Sequence, residues 1–452
     1  MIAAEPHPVL RSSPYQGYVY AYPHKTAYRA LHPRPLRAVW AQEDQRQLFL
    51  YVHIPFCAMR CGFCNLFTTA KPHRELVTWY LEALDQQAHA VREAIPDARF
   101  ARFAIGGGTP TYLSDQQLAH LLDQMQTVMG IDPHTVPTSV ECSPDTLTED
   151  KVELLKSRGV DRVSIGIQSF VETETVNCGR PQSPAVVTAA LSLLAEAQFP
   201  VWNIDLIYGL PGQTVDSWLY SLRQALSYRP EELYLYPLYV RPLTGLGRSR
   251  KEWDDVRLAC YRVARDHLLG NGYEQVSMRM FRRRRGDSPE NDHSSNFAKT
   301  SGKPHYCCQT DGMVGLGCGA RSYTRALHYS FDYAVAPRSI KRIIADYLAR
   351  SRAEFAQVEH GFLLNGDEQK RRYLLQSILN TDGLDIARYE ERFGSNPADD
   401  FPDLATFADF GLLTCDGSHW RPTALGLERS DALGPWFISP QVQHLMAEYQ
   451  AQ

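Results

Sequence analysis

The sequence predicts an α/β fold: a partial (βα)6 TIM-like barrel with an N-terminal arm and a C-terminal winged-helix-like α+β domain. Three observations carry this expectation. From Leu48 onward, short β-branched and aromatic runs alternate with longer amphipathic stretches, the pattern of repeated βα units around a parallel sheet. Six such runs occur, "LFLYVHIP", "ARFAIGGG", "PTSVECSP", "DRVSIGIQSF", "VWNIDLIYGL" and "ELYLYPLYV", too few for a closed eight-stranded barrel. After about residue 355 the pattern changes to three helical segments and a short hairpin with its turn at Asp416-Gly417.

These elements divide the chain into an arm over 1–47, the barrel over 48–240, a barrel extension on the substrate side over 241–354 and the C-terminal domain over 355–452. The arm contains "SPYQGYVYAYPHKTAYRALHP", whose five tyrosines and two histidines show too little apolar periodicity for a helix. It is expected to pack on the surface or to cover a ligand, which such side chains can both stack on and hydrogen-bond. In the extension, "KEWDDVRLACYRVARDHLLGNG" reads as a helix and "MRMFRRRRGDSPENDHSSN" as a solvated loop. The C-terminal segment lacks a basic recognition face, so packing against the barrel is expected there and nucleic-acid binding is not.

Composition narrows the class. With 44% hydrophobic and 22% charged residues in 452, the chain has neither a disordered nor a collagen-like bias. A net charge of -4, from 47 basic and 51 acidic side chains, offers nucleic acid or an anionic membrane no global attraction. The start, "MIAAEPHPVLRSSPYQ", has no basic stretch leading into an apolar core, and no run reaches the roughly 18 apolar residues of a membrane span. A cytoplasmic protein without membrane partners is expected. Ten cysteines are too sparse for a disulfide scaffold, and their clustering near the front points to metal ligation in a reducing compartment.

That cluster lies in "YVHIPFCAMRCGFCNLF", where Cys57, Cys61 and Cys64 follow the first strand with spacing CxxxCxxC. In a barrel of this kind the loops at the C-terminal strand ends carry the chemistry. Gly106 to Thr109, Glu141, Gln168 and Asp205 fall at such ends. A structural zinc site normally draws four ligands from two spaced pairs. Three close thiolates without an evident fourth would instead hold three irons of a [4Fe-4S] cluster and leave the fourth open to an outside ligand. Zinc and buried structural cysteines are the alternatives.

The three cysteines, with Phe63 at the position where an aromatic recurs, match the signature of the radical S-adenosylmethionine (SAM) superfamily. The motifs "YVHIPFC", "GGGTPTYL", "RVSIGIQSF", "NIDLIYGLPGQT" and "GLGCGARSY" resemble, over about residues 48 to 330, oxygen-independent coproporphyrinogen III oxidase and its relatives. The resemblance implies that SAM chelates the open iron and is cleaved on one-electron reduction to methionine and a 5′-deoxyadenosyl radical. A flavodoxin or ferredoxin would supply the electron, and a small molecule would be the substrate. It further implies that Tyr51 approaches this SAM, that the Gly107 backbone meets its amino group and that Glu141 also holds it. A second SAM would lie on positions matching Gly108, Thr109, Gln168, Arg180 and Asp205, with the backbone of Phe63, and Tyr239 joins the cofactor-binding set. Asp205 would accept ribose hydroxyls and Arg180 would pair with a carboxylate. Taken singly, the glycines also read as a turn, Asp205 as a helix cap and Arg180 as a surface ion pair.

Two departures bear on function. The oxidases carry a fourth cysteine just after the triplet, where this chain reads "CNLF" with Asn65 and Leu66. Arg321 stands where the oxidase has an aliphatic residue near SAM, which suggests a different substrate with a carboxylate or phosphate, or else an ion pair. Tyr51, Glu141 and Arg321 are the candidate catalytic residues. Cys307, Cys308 and Cys318 are a weaker candidate for a second cluster, because adjacent cysteines do not easily face one metal; a substrate-facing thiol is the other reading. The leading expectation is methyl or methylene transfer (methylation or cyclopropanation of an sp² carbon) using two SAM molecules. Oxidative decarboxylation of a propionate-bearing tetrapyrrole and haem carriage are the alternatives.

Overall fold

The computed structural model describes residues 7–241, 243–248, 256–284 and 312–449. Six parallel strands form its centre: Leu48–Ile54, Phe100–Gly107, Thr138–Cys142, Arg162–Gln168, Val201–Tyr208 and Glu232–Pro237. These are the six expected from sequence. The helices Arg74–Ala94, Asp115–Met129, Glu149–Ser157, Pro184–Ala197 and Val215–Ser227 make the crossovers between them. Local chemistry sets where helices begin: Ser114 and Gln117 form a reciprocal capping box before Asp115–Met129, and Thr214 and Ser217 do the same before Val215–Ser227.

Alternation along the strands separates the two faces of the sheet. Val163, Ile165, Ile204, Leu206, Leu233 and Leu235 are fully buried in the main core. The intervening Arg162, Ser164, Asn203, Asp205, Glu232, Tyr234 and Tyr236 line a cavity of about 450 Å³ on the inner face. The lumen is therefore polar, unlike the apolar filling of a closed barrel.

The sheet is larger than the six runs suggest. Met313–Leu316 pairs in parallel with the first barrel strand, and Arg321–Tyr323, Leu327–Ser330 and Gln357–Leu363 continue antiparallel from it to Arg29–Pro35 of the arm. At the other edge Met280–Arg283 pairs with Glu232–Pro237. The run from Met278, expected to be a solvated loop, thus contains a strand, because Phe281 is fully buried and Arg279 just before the strand is 5% exposed. The remainder of that run, with Cys307 and Cys308, lies outside the described residues.

The C-terminal part has its own core, built on Leu374, Ile378, Tyr389, Leu404, Phe407 and Leu433, with a three-stranded sheet of Leu384–Asp385, Leu413–Cys415 and His419–Pro422. The hairpin turns at Asp416 and Gly417 as expected, Gly417 at φ 85°. Val9, Tyr22, Ala27 and Tyr28 of the arm belong to this same core. Among the described residues no helix is long and apolar enough to cross a membrane.

Candidate active site

The cysteine loop leaves the first strand and is tied down by its backbone: the Gly62 N–H donates to the Cys178 carbonyl at 3.0 Å, and the Leu246 N–H donates to the Gly62 carbonyl at 2.8 Å. Phe63 does not face open space; with Tyr236 it packs on a small apolar cluster of Cys178, Ile207, Leu210, Leu238 and Leu246. Each thiol on the loop has a polar neighbour. The Thr109 hydroxyl donates to Cys57 Sγ at 3.6 Å, Arg180 donates to Cys61 Sγ at 3.2 Å, and Cys64 Sγ lies 3.7 Å from the Thr68 hydroxyl. Burial, with the neighbouring thiols, pushes Cys57 up to about 12 and raises Cys64 as well. Thiols raised in this way become stable thiolates only beside positive charge, which a bound cluster would supply. Among the described residues no three His, Cys, Asp or Glu side chains converge tightly enough for a single metal ion. Three thiols on one loop, each with a polar neighbour, suit a multi-iron cluster that takes three protein thiolates.

The glycine triplet is needed for three different neighbours. A Cβ on Gly106 would lie 2.9 Å or less from the Glu141 carboxylate, one on Gly107 2.6 Å from the His53 ring, and one on Gly108 2.9 Å from Cys57 Sγ. Gly107 also sits at φ 113°, a conformation that side chains rarely adopt. Its N–H donates to Glu141 Oε2 at 3.0 Å, so the structure joins Gly107 and Glu141 directly. Glu141 lies deep in the fold yet exposed to the cavity, and burial raises its carboxyl. Tyr51 stands beside them, its phenol pushed up by burial and by Glu141.

His53, two residues after Tyr51 on the same strand face, was not among the residues singled out from sequence. Burial holds its imidazole down to about 4, so the ring is neutral. Because the Phe67 carbonyl can only accept, Nε2 carries the proton that it receives at 2.9 Å, and Nδ1 is left to accept from the Tyr51 hydroxyl at a long 3.4 Å. The period of two could have found His53; its role as packing partner of Gly107 could not be read from spacing.

Asp205 lines the same inner-face cavity as Glu141. The Asn203 amide donates to Asp205 at 2.7 Å. Burial raises its carboxyl to about 7, although Asn203 and Arg162 act to lower it. Such an acid destabilises the fold as pH rises from 3.8 to about 7, because the native state holds a proton that the unfolded chain has released. Asp205→Asn removes this penalty, so its melting temperature should exceed that of the parent by about 4 °C at pH 8 and by much less at pH 5, measured by calorimetry.

Gln168, 8% exposed, ends the neighbouring strand at φ 70° beside a register shift between Gly166 and Gln168. A non-glycine residue in that region is the kind of local strain that collects at functional sites. Other expected ligands are committed elsewhere. Arg180 donates to the Gly166 carbonyl at 2.7 Å and the Ser143 hydroxyl at 3.3 Å as well as to Cys61, so it steadies the cluster loop. Tyr239 donates to Asp431 Oδ2 at 2.5 Å, in a buried group that also holds Arg279. Cys318 is buried against Tyr80 and faces no second thiol in a ligand group among the described residues.

Residues 51–225 match the family model described as the Radical SAM superfamily, and residues 364–428 match that of the HemN C-terminal domain. The heme chaperone HemW of Escherichia coli is 30% identical over 286 residues, covering 60% of this chain and 69% of that protein. This chain belongs to the radical SAM superfamily. Within the superfamily it stands in the branch of oxygen-independent coproporphyrinogen III oxidase and HemW. The E. coli oxidase is 28% identical over 409 residues, covering 86% of this chain and 85% of the oxidase. The solved structure of E. coli coproporphyrinogen III oxidase (HemN) superposes with a TM-score of 0.77 at 24% identity, covering 93% of this chain and 97% of that one, and so shares its fold. As a radical SAM enzyme the chain uses a [4Fe-4S] cluster and SAM.

Proposed function

We propose that this radical SAM enzyme oxidises a carboxylate-bearing small molecule in the manner of its oxidase relatives, abstracting hydrogen beside a propionate-type side chain with loss of CO2. The observation that carries this reading is the arm, which brings Tyr20, His24 and Lys25 to Arg321 and the cysteine loop and so covers the strand ends. A covered site suits a reaction that must exclude water and oxygen. A porphyrinogen is the substrate class that the relatives' names suggest. Methyl or methylene transfer finds no support in those names.

When bound, the cluster and SAM supply a carbon-centred hydrogen abstractor after one-electron reduction, for which a flavodoxin or ferredoxin is the proposed donor. Cys57, Cys61 and Cys64 would hold the cluster. Glu141 and Gly107, already joined, would take the amino group of SAM, and Tyr51 would pack beside it. Asp205 lines the same cavity as Glu141, and Gln168 ends the strand paired with that of Asp205; a second SAM molecule there would donate its ribose hydroxyls to Asp205. In the substrate a C–H bond breaks, then the bond to the carboxyl carbon. CO2 leaves, a C=C bond forms and one electron passes to a one-electron acceptor.

The test is anaerobic turnover of the reconstituted, reduced protein with coproporphyrinogen III and methyl-trideuterated SAM. Unlabelled 5′-deoxyadenosine formed together with CO2 is expected. Deuterium in 5′-deoxyadenosine without CO2 would replace this reading with methylene transfer. No 5′-deoxyadenosine, with a stoichiometric haem Soret band on titration, would replace it with haem carriage, the role in the name of HemW.

A further inference from the structure

The approach to the cysteine loop holds two cations that no acid among the described residues balances. Lys25 comes from the short 3-10 turn Lys25–Ala27 of the arm, and Arg321 opens the strand Arg321–Tyr323. Both are half-buried. Among the described residues neither forms an ion pair with Asp or Glu. Their neighbours are phenols. Arg321 donates to the Tyr20 hydroxyl at 3.2 Å, with its guanidinium 4.9 Å from that ring, and it also faces Tyr28 and Tyr323. Lys25 lies 3.5 Å over the ring of Tyr333 and also presses on Tyr20.

Two uncompensated cations in a half-buried position are costly unless an anion joins them. Their effect is visible on Tyr20: against burial, which would raise it, Arg321 and Lys25 pull its phenol down to about 8. The thiolates are one anion to consider, since Cys64 is within the electrostatic reach of Lys25. They leave Arg321 unexplained, because its own neighbours are Tyr20, Tyr323 and Tyr28 and the loop already has Arg180 on Cys61. A second observation points the same way. Tyr28 is 3% exposed, its hydroxyl has no hydrogen-bond partner among the described residues, and it faces Arg321. A buried donor of this kind is normally satisfied.

We propose that Lys25, Arg321 and the Tyr28 hydroxyl, with Tyr20, form a carboxylate-binding site that holds the acidic side chain of the substrate beside the cysteine loop. Arg321 presents a planar fork suited to a carboxylate, Lys25 a point charge from the opposite, arm side, and Tyr28 a phenolic donor. Since one half of the site comes from the arm, a bound anion would also fasten the arm over the strand ends. The inference rests on the reading of the enzyme as an oxidase of carboxylate-bearing molecules, and it names the residues that select the acid.

The test uses the full chain with its cluster reconstituted under anaerobic conditions. Three probes are titrated: coproporphyrin III by its absorbance, its tetramethyl ester likewise, and succinate by thermal shift. For the parent, the acid should bind at least tenfold more tightly than the ester. Arg321→Gln and Lys25→Gln should each weaken the acid at least tenfold and leave the ester unchanged, Arg321→Lys should recover part of the loss, and Tyr28→Phe should weaken the acid by a few fold. Equal acid binding by parent and variants overturns the site and leaves the oxidase reading standing. A parent that binds no porphyrin, yet is stabilised by succinate in a way lost in Arg321→Gln, overturns the tetrapyrrole and upholds the site. No response to either acid overturns both. S-adenosylhomocysteine, titrated by calorimetry, separates the two sources of carboxylate: loss of its binding in Arg321→Gln would assign the site to the cofactor and overturn the assignment to substrate.

Discussion

Replacing any one of Cys57, Cys61 or Cys64 with alanine is expected to abolish the broad iron-sulfur absorbance near about 400 nm and to reduce 5′-deoxyadenosine formation below detection. The size of the effect follows from the ligand count. The triplet offers three thiolates for four irons, and for a cube that loses one of three the cysteine beside the loop among the described residues, Cys178, is already engaged. Cys178 is fully buried and donates its thiol to the Thr175 carbonyl at 3.3 Å, and Cys142 is buried on the third strand. Cys415→Ser, at an exposed thiol of the C-terminal hairpin, is the control and should keep the full absorbance. Absorbance and iron content are read on the same anaerobic samples. A triple alanine variant that retains the absorbance would remove the basis for placing the cluster on this loop.

The sulfur neighbours allow a graded version of the same argument. Arg180 can be changed to lysine without touching a ligand, and Thr109 to valine. Both substitutions should leave the cluster bound and move its potential, because hydrogen bonds to the sulfurs set that potential. The structure thereby gives Arg180 a different position from the one its spacing suggested: the step of 12 residues from Gln168 places it near the site, but its guanidinium is taken up by Cys61, Ser143 and the Gly166 carbonyl.

Sequence reasoning found what short-range pattern can carry. The six parallel strands show as apolar runs because their outer faces are buried under helices; Glu141 and Gln168 stand at strand ends as expected, whereas Asp205 lies inside Val201–Tyr208, three residues short of its end. The parallel strand Met313–Leu316 escaped because it is four residues long and pairs with a strand some 260 positions earlier. Lys25 and Tyr28 escaped for a related reason. The arm has no periodicity of its own, and its path is set by pairing of Arg29–Pro35 with Gln357–Leu363 and by Tyr22, Ala27 and Tyr28 entering the C-terminal core. No local signal in "YPHKTAY" reports an encounter with Arg321. Nor does local pattern report that the Tyr239 hydroxyl, in the cofactor-binding set from sequence, donates to Asp431, almost 200 residues later.

Asp431 is where the second large effect is expected. Its carboxylate is 2% exposed and receives Arg279 at 2.5 Å and the Tyr239 hydroxyl at 2.5 Å, while its backbone carbonyl accepts from the N–H groups of Gln16 at 3.2 Å and Gly17 at 3.0 Å. The ring of Tyr18 lies 3.6 Å from the Arg279 guanidinium. One residue of the C-terminal core thus grips the sheet edge at Arg279, the end of the sixth barrel strand at Tyr239 and the arm at residues 16 and 17. Asp431→Ala leaves the Arg279 charge, 6% exposed, without an acid, and breaking a buried pair from one side costs about 3 to 5 kcal/mol. Denaturant unfolding should show that loss. Arg279→Met combined with Asp431→Ala removes both charges and should recover most of it, since apolar replacement of a buried pair is often neutral. The pair of experiments also separates charge from grip. If the double variant regains stability and still forms 5′-deoxyadenosine without consuming substrate, Asp431 acts on catalysis by holding the arm closed. If stability and coupling return together, the buried charge was the whole effect, and the backbone bonds to Gln16 and Gly17 suffice to keep the arm in place.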